Sequence, residues 1–177
     1  MRLFVALDLP EDVRCRLSRL GYGLPGARMV PEEQLHLSLC FIGEVEGGMY
    51  PDIRDALARV DFPSFTLQLD GVGFFPPRKK PRVVWAGVVC NASLSRLHKK
   101  IKSVLLPLGI ALEKRKFAPH ITLARLKNTP AARVGRFLEQ NSLFMTEPFQ
   151  VDEFVLYSSV LNSRGARHYV EQRFFLS

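Results

Sequence analysis

Apolar and polar residues alternate along the chain in short blocks that predict a succession of strands and helices. Residues 3–7 form a continuous apolar run, typical of a short buried strand, which ends at Asp8. Residues 10–20 begin with a proline and two acids and then carry apolar side chains at helical spacing, which predicts a helix. Gly21 and Gly23 are predicted to end this helix.

The same order of elements occurs twice. Further strands are predicted over residues 34–42, 65–75, 83–89, 119–126, 149–160 and 168–175. Further helices are predicted over residues 52–60, 91–108 and 130–140. Both halves therefore follow β-α-β-α-β at an offset of about 80 residues, with a closing strand after a turn at residues 163–165.

This duplication predicts one bilobal domain, residues 1–177, in which two related lobes face each other across a cleft. The halves would cover about residues 1–78 and 79–177, an arrangement in which the lobes can exchange their terminal strands. The proline-rich, basic residues 76–81 are the best linker between them, and we interpret them as a solvated loop. The length of 177 residues fits one such domain.

Composition narrows the class of partner and the compartment. The 25 Lys and Arg against 17 Asp and Glu give a net charge of +8, which attracts nucleic acid, membrane surfaces and phosphorylated metabolites alike. Three unpatterned cysteines (Cys15, Cys40 and Cys90) exclude a disulfide framework and a Cys-x-x-Cys zinc site, and indicate a reducing compartment. The apolar N-terminal run is too short for a signal peptide or membrane span, so we expect a cytoplasmic protein with no membrane partner. We also expect a monomer.

Two matching motifs carry the candidate chemistry. The sequences HLSL and HITL begin at His36 and His120, which lie 84 residues apart in equivalent predicted strands. Side chains at i and i+2 share one face of a strand, so His36 is presented with Ser38 and His120 with Thr122. The intervening apolar residues, and Phe41 after them, are predicted to point the opposite way, under the helices.

A pseudo-two-fold relation between the lobes would bring both motifs to one central cleft. Two imidazoles form a general acid–base pair near neutral pH, because their unperturbed pKa of about 6.5 lets one be protonated while the other is neutral. Ser and Thr hydroxyls donate hydrogen bonds to phosphate oxygens. This set suits attack of water on a phosphodiester and requires no metal. A single strand histidine is usually structural, but the duplication favours function.

Several stretches carry a family resemblance: residues 2–7 (RLFVAL), 31–43 (PEEQLHLSLCFIG), 117–125 (FAPHITLAR) and 156–159 (LYSS). They resemble the two-histidine (2H) phosphoesterase superfamily, in particular RNA 2′,3′-cyclic phosphodiesterases, historically called 2′–5′ RNA ligases. The resemblance extends from the first strand to the last. It implies a bilobal α+β fold with mainly antiparallel sheets lining the cleft.

The resemblance also implies roles. His36 would be the general acid toward the leaving O3′ and His120 the general base toward water, while Ser38 and Thr122 would hold phosphate oxygens. Without metal or cofactor, the 2′,3′-cyclic phosphate end of an RNA or oligonucleotide would become a 2′-phosphomonoester. Reverse 2′–5′ ligation follows from microscopic reversibility. A near-symmetric site could also run with the acid and base exchanged.

The sequence departs from the family in two places. Ser38 replaces the commoner Thr, which keeps the hydroxyl but loses the β-branch that restricts χ1. Met29 and Val30 stand where the family often has an aromatic residue. Arg125 matches the family and is a candidate phosphate-binding residue, although strand parity puts it on the face opposite His120 unless the strand bulges.

Two other hypotheses about the function stay open. One is a non-catalytic module that binds RNA or nucleotides, and the other is a phosphodiesterase acting on another small cyclic phosphate or on 2′–5′ oligonucleotides. His98, on a basic helix face, and His168, on the closing strand where it could border the cleft, are interpreted as structural. No HExxH, P-loop, GxGxxG or GxSxG motif is present in the sequence to support a different chemistry.

Overall fold

The computed structural model describes residues 1–20, 23–77, 80–163 and 165–177. In these ranges the strands are β1 (Arg2–Asp8), β2 (Ala27–Met29), β3 (His36–Glu44), β4 (Phe65–Leu67), β5 (Leu69–Phe75), β6 (Val83–Val88), β7 (His120–Leu126), β8 (Phe149–Val151), β9 (Glu153–Asn162) and β10 (Gly165–Phe175). The α-helices are α1 (Glu11–Leu20), α2 (Tyr50–Ala58), α3 (Ala92–Leu105) and α4 (Ala131–Gln140).

All strand pairs are antiparallel. The main sheet has the order β10-β9-β1-β3-β7-β6-β5, and β2 adds to β7; β4 and β8 form a separate small sheet. The chain's last two strands thus add to one side of β1, with β9 next to it and β10 outermost, and β5 lies with β6 and β7. The predicted α+β class with antiparallel sheets is confirmed.

The two halves meet at the centre of the main sheet. The ladder between β3 and β7 joins one pair of directly opposed residues in the described part of the chain, Leu37 and Ile121. These two positions are 84 residues apart, the same offset as the two histidine motifs. An antiparallel pair has a local two-fold axis between its members, so this axis relates the two motifs.

The order of elements matches the prediction in both halves, but the predicted strands at 65–75 and 149–160 were wrong as single strands. The first breaks at Gln68 into β4 and β5, and the second breaks at Asp152 into β8 and β9. Each break occurs where the chain passes from the small sheet to the main sheet. The short β2 was not predicted, and the closing strand begins at Gly165 rather than at residue 168.

Several sequence predictions fall on chain outside the described residues. Gly21, part of the proposed linker at 76–81, the lobe boundary at 78/79 and the middle of the turn at 163–165 belong to this group. The division into two lobes stays a prediction. Among the described residues, no helix has the length and apolar character needed to cross a membrane.

The helices cover the apolar face of the sheet. Leu37 and Leu39 of β3, and Ile121 and Leu123 of β7, are at most 3% exposed and belong to one core with the buried side of the helices. The helical residues in that core are Val13 and Leu17 of α1, Ile53 and Leu57 of α2, Leu94, Leu97, Ile101 and Leu105 of α3, and Val134 and Phe137 of α4. Burial of this face fixes the register of β3 and β7. The side chains that alternate with the buried ones, among them His36 and His120, therefore point into the cleft.

Candidate active site

His36 begins β3 and is fixed by a short backbone contact. Its Nδ1 lies 2.7 Å from the carbonyl oxygen of Gln34. A carbonyl can only accept, so Nδ1 carries the hydrogen and donates it, and the proton exchanged in any acid–base step belongs to Nε2. The ring packs against Phe4 of β1, with centroids 5.1 Å apart.

His120 begins β7 and repeats this arrangement. Its Nδ1 lies 2.7 Å from the carbonyl oxygen of Ala118, the residue equivalent to Gln34 in the other half. The ring makes an edge-to-face contact with Phe75 at 5.0 Å and lies 6.3 Å from the ring of Trp85. Both imidazoles are therefore held in the same tautomer by the same kind of hydrogen bond to a backbone carbonyl.

The hydroxyls predicted to accompany the histidines lie in the same cleft. Ser38 Oγ is 3.1 Å from His36 Nε2, a hydrogen bond that the hydroxyl donates when the imidazole is neutral. The Thr122 hydroxyl makes no hydrogen bond to any described protein group. Since β3 and β7 run antiparallel through Leu37 and Ile121, His36 comes next to Thr122 and Ser38 next to His120.

A β-bulge in each central strand changes which side chains enter the cleft. In β7 the register with β6 shifts between Ala124 and Thr122, which brings Arg125 to the same face as His120. The β1–β3 register shifts at the equivalent place, and Phe41 reaches the cleft with 51% of its surface exposed. The prediction that Phe41 lies on the covered face was wrong for this reason. Regular strand alternation would place Arg125 opposite His120, but the bulge reverses the alternation and puts both on the cleft face.

The cleft has a volume of about 890 Å³ and contains all five predicted site residues in its wall. His36, Ser38, His120, Thr122 and Arg125 lie together there. Cationic side chains from β1, β2 and β10 add to the wall, so the cleft is a suitable place for an anion. These cations are Arg2, Arg28 and Arg167.

Burial lowers the pKa of His36 below its ordinary value. The hydrogen bond to Gln34 and the negative charge of Asp8 act in the opposite direction, while Arg125 and His120 lower the pKa further. In the free protein the neutral form of His36 is therefore favoured more than in an exposed histidine.

His168 is placed in the wall of the cleft by β10. Its ring meets His36 edge to face at 5.2 Å, and its Nδ1 is buried with no hydrogen-bond partner among the described residues. Burial lowers its pKa to about 4, with contributions from His36, Arg125 and Arg2. His98, by contrast, stacks on Phe117 at 4.0 Å on α3, away from the cleft wall.

Sequence reasoning did not identify the aromatic and acidic groups that surround the two imidazoles. Phe4 and Asp8 lie on β1 at even spacing, which the continuous apolar run concealed. Phe75 and Trp85 reach His120 only through the pairing of β5, β6 and β7. No group of three or more His, Cys, Asp or Glu side chains suited to a metal ion is found within the described ranges.

Comparison with known proteins agrees with this geometry. The model of the 2′-5′ RNA ligase superfamily matches residues 10–162, which include both histidine motifs. The chain belongs to the 2′-5′ RNA ligase superfamily. Within this superfamily it is 36% identical over 171 residues to an RNA 2′,3′-cyclic phosphodiesterase of Thermotoga maritima, covering 93% of this chain and 90% of the relative. A relative of the same name from Thermus thermophilus is 35% identical and covers 99% of this chain and 90% of its own length.

Two solved structures share the fold of this chain over nearly their whole length. The protein TT0787 of Thermus thermophilus superimposes with a TM-score of 0.82 at 30% identity, over 99% of this chain and 97% of that one. E. coli LigT in complex with 3′-AMP gives a TM-score of 0.81 at 29% identity, over 99% and 98% of the two chains. This member of the 2′-5′ RNA ligase superfamily thus resembles its relatives from end to end.

Proposed function

We propose that the protein hydrolyses the 2′,3′-cyclic phosphate ends of RNA to 2′-phosphomonoesters, with His36 and His120 as the acid–base pair and without a metal ion. The observation that carries the proposal is the identical fixing of the two imidazoles in one cleft: each donates Nδ1–H to the carbonyl two residues before it. Relatives named RNA 2′,3′-cyclic phosphodiesterase and the LigT complex with 3′-AMP support the class of substrate.

In the proposed reaction, His120 Nε2 takes a proton from water as the water oxygen attacks phosphorus. The P–O3′ bond breaks, and O3′ takes a proton from Nε2 of His36. The product carries a phosphate on O2′ and a hydroxyl on O3′. The two imidazoles end with their protons exchanged, and solvent restores them before the next turnover.

The substrate itself helps to prepare His36 for the acid role. Burial favours its neutral form in the free protein, whereas a general acid must carry the second proton. The negative charge of the bound cyclic phosphate favours the imidazolium. Ser38 and Thr122 then turn their hydroxyls to the phosphate oxygens, and the guanidinium of Arg125 balances the charge that develops on them.

The test is an assay with an oligonucleotide that ends in a 2′,3′-cyclic phosphate, with EDTA present. We expect a 2′-phosphate product and a loss of about 10²–10⁴ in rate for His36→Ala and for His120→Ala, the usual contribution of a positioned acid or base. His98→Ala is the matched control, because His98 lies outside the cleft wall, and it should retain the wild-type rate.

The outcomes separate the proposal from its rivals. Full activity in either cleft variant would sink the two-histidine mechanism. Tight binding of the oligonucleotide with no turnover would instead identify a binding module. A 3′-phosphate product would contradict the assignment of O3′ as the leaving group, and turnover only of 2′–5′-linked oligonucleotides would identify a different phosphodiesterase.

A further inference from the structure

An acidic residue lies directly opposite His36 in the sheet. Asp8, the last residue of β1, is the antiparallel partner of His36, the first residue of β3. Side chains of such a pair share one face, with Cβ atoms about 4.5–5.5 Å apart. Only 22% of the Asp8 side chain is exposed, so its charge is poorly screened by water.

The Asp8 carboxylate is held by partners on two further strands. Its Oδ1 accepts a hydrogen bond from the hydroxyl of Tyr157 on β9, and its Oδ2 lies 3.0 Å from the guanidinium of Arg173 on β10. Arg173 also pairs with Glu153. One arginine is therefore shared between two carboxylates, so these three side chains together carry one net negative charge.

The other charges around His36 have the opposite sign or none. The titratable and charged groups that face it are Asp8 on β1, His120 and Arg125 on β7, Tyr157 on β9, and His168 on β10. Two cations lie beyond them: Arg173 pairs with Asp8, and the charge of Arg14 on α1 acts on Tyr157. Burial and the contact with Asp8 raise the pKa of Tyr157, which therefore remains a neutral donor. Burial and its neighbours likewise leave His168 neutral at pH 7.

We propose that Asp8, fixed by Tyr157 and Arg173, is a positioning residue that supplies the counter-charge for the imidazolium form of His36. It makes no hydrogen bond to that ring, whose two nitrogens contact Gln34 and Ser38. Its action is electrostatic: it offsets the burial that favours the neutral imidazole and so keeps the acid form accessible near neutral pH. The inference rests on the proposed acid role of His36.

The test is a pH titration of His36 followed by NMR of its ring protons, which needs no turnover. Asp8→Asn keeps the size of the side chain and removes the charge, and we expect the midpoint of His36 to fall by about one pH unit. Arg173→Gln removes the cation that balances Asp8, and the midpoint should rise. Glu153→Gln is the matched control, since it alters the same cluster without facing His36, and it should change the midpoint less than either.

Activity supplies a second measurement. If His36 must be protonated, Asp8→Asn moves the alkaline limb of the pH–rate profile to lower pH, so that turnover falls more at pH 8 than at pH 6. An unchanged His36 midpoint in Asp8→Asn, or shifts of the same sign in the Asp8 and Arg173 variants, would overturn the inference. If Asp8→Asn does not fold, the direction of the Arg173→Gln shift decides. An inactive wild-type protein would refute the proposed function, while the titration would still report on Asp8.

Discussion

A methyl group added at Gly73, a residue outside the two histidine motifs, should disturb the surroundings of His120. Gly73 on β5 is the antiparallel partner of Trp85 on β6, and the indole lies across the glycine. A Cβ built at Gly73 would be 2.3 Å from both Cζ2 and Cη2 of Trp85. Ordinary carbon contacts begin near 3.5 Å, so the indole must move by about 1 Å in Gly73→Ala.

The indole that must move is in contact with the surroundings of His120. The Trp85 ring lies 5.3 Å from Phe75 and 6.3 Å from His120, and Phe75 makes the edge contact with His120 at 5.0 Å. A misplacement of 1 Å in a catalytic group costs about 10²-fold in rate. We therefore expect kcat to fall by up to about 10²-fold. Overpacking should lower the free energy of unfolding by about 1–3 kcal/mol, so the protein stays folded.

The assay is kcat on the cyclic-phosphate oligonucleotide together with urea unfolding. Gly135→Ala is the matched control: Gly135 lies within α4, and apart from its own stretch of helix no described residue comes within 4 Å of its would-be Cβ. It should retain activity and gain up to about 1 kcal/mol in stability. Adding Trp85→Phe to Gly73→Ala removes the obstructing ring, and because the indole Nε1 has no partner among the described residues, partial rescue is expected.

Two results would refute this reasoning. Wild-type kcat in Gly73→Ala would mean that the indole moves without moving His120. No rescue by Trp85→Phe in a folded double variant would mean that the added methyl group acts by another route. Loss of kcat in Gly135→Ala as well would point to a general sensitivity of the fold to Gly→Ala changes.

Two further predictions concern the substrate phosphate and the charge of the cleft. Ser38→Ala should lower kcat/KM by about 10–100-fold, which is the value of a hydrogen bond to a charged group. Ser38→Thr keeps the hydroxyl and should retain activity. Equal rates for wild type and Ser38→Ala would contradict a phosphate contact. Raising KCl from about 50 to 200 mM should raise KM with little change in kcat, because salt screens the positive charge of the cleft wall. That charge comes from Arg2, Arg28, Arg125 and Arg167. A KM that does not change with salt would contradict electrostatic capture of the substrate.

The order of elements could be predicted because each one has a local pattern. The helices repeat apolar residues at helical spacing, and most of the strands are apolar runs ended by turn residues. The breaks at Gln68 and Asp152 could not be predicted in this way, because each occurs within a continuous strand-like stretch. They depend on which sheet each piece joins, and that is a tertiary property.

The central pair of the site could be predicted for a different reason. His36 and Ser38, like His120 and Thr122, are related by strand parity, and the duplication indicates that they meet. Arg125 needs a bulge to enter the cleft, and a bulge is a relation between two strands rather than a property of one. The equivalent bulge in β3 is likewise defined only by the pairing of β3 with β1.

The residues that distinguish the two imidazoles were beyond sequence reasoning altogether. Tyr157 and His168 come from β9 and β10, more than 120 positions after His36, and no local spacing connects them to it. They approach because β9 pairs with β1, the strand that also pairs with β3, and β10 pairs with β9. Long-range strand pairing therefore decides the surroundings of His36.

The difference between the two half-sites lies in their packing, since the backbone treats them alike. An acid–base pair needs two groups whose environments separate their protonation behaviour. Both imidazoles donate Nδ1–H to an equivalent carbonyl, so this contact alone would leave them interchangeable. The bulge positions already differ, with Phe41 in one half and Arg125 in the other. His36 packs among Phe4, Tyr157 and His168 beside the Asp8 carboxylate, whereas His120 packs against Phe75 and Trp85. A duplicated scaffold thus supplies two equal histidines, and the unequal strands around them supply the asymmetry that a one-directional proton transfer requires.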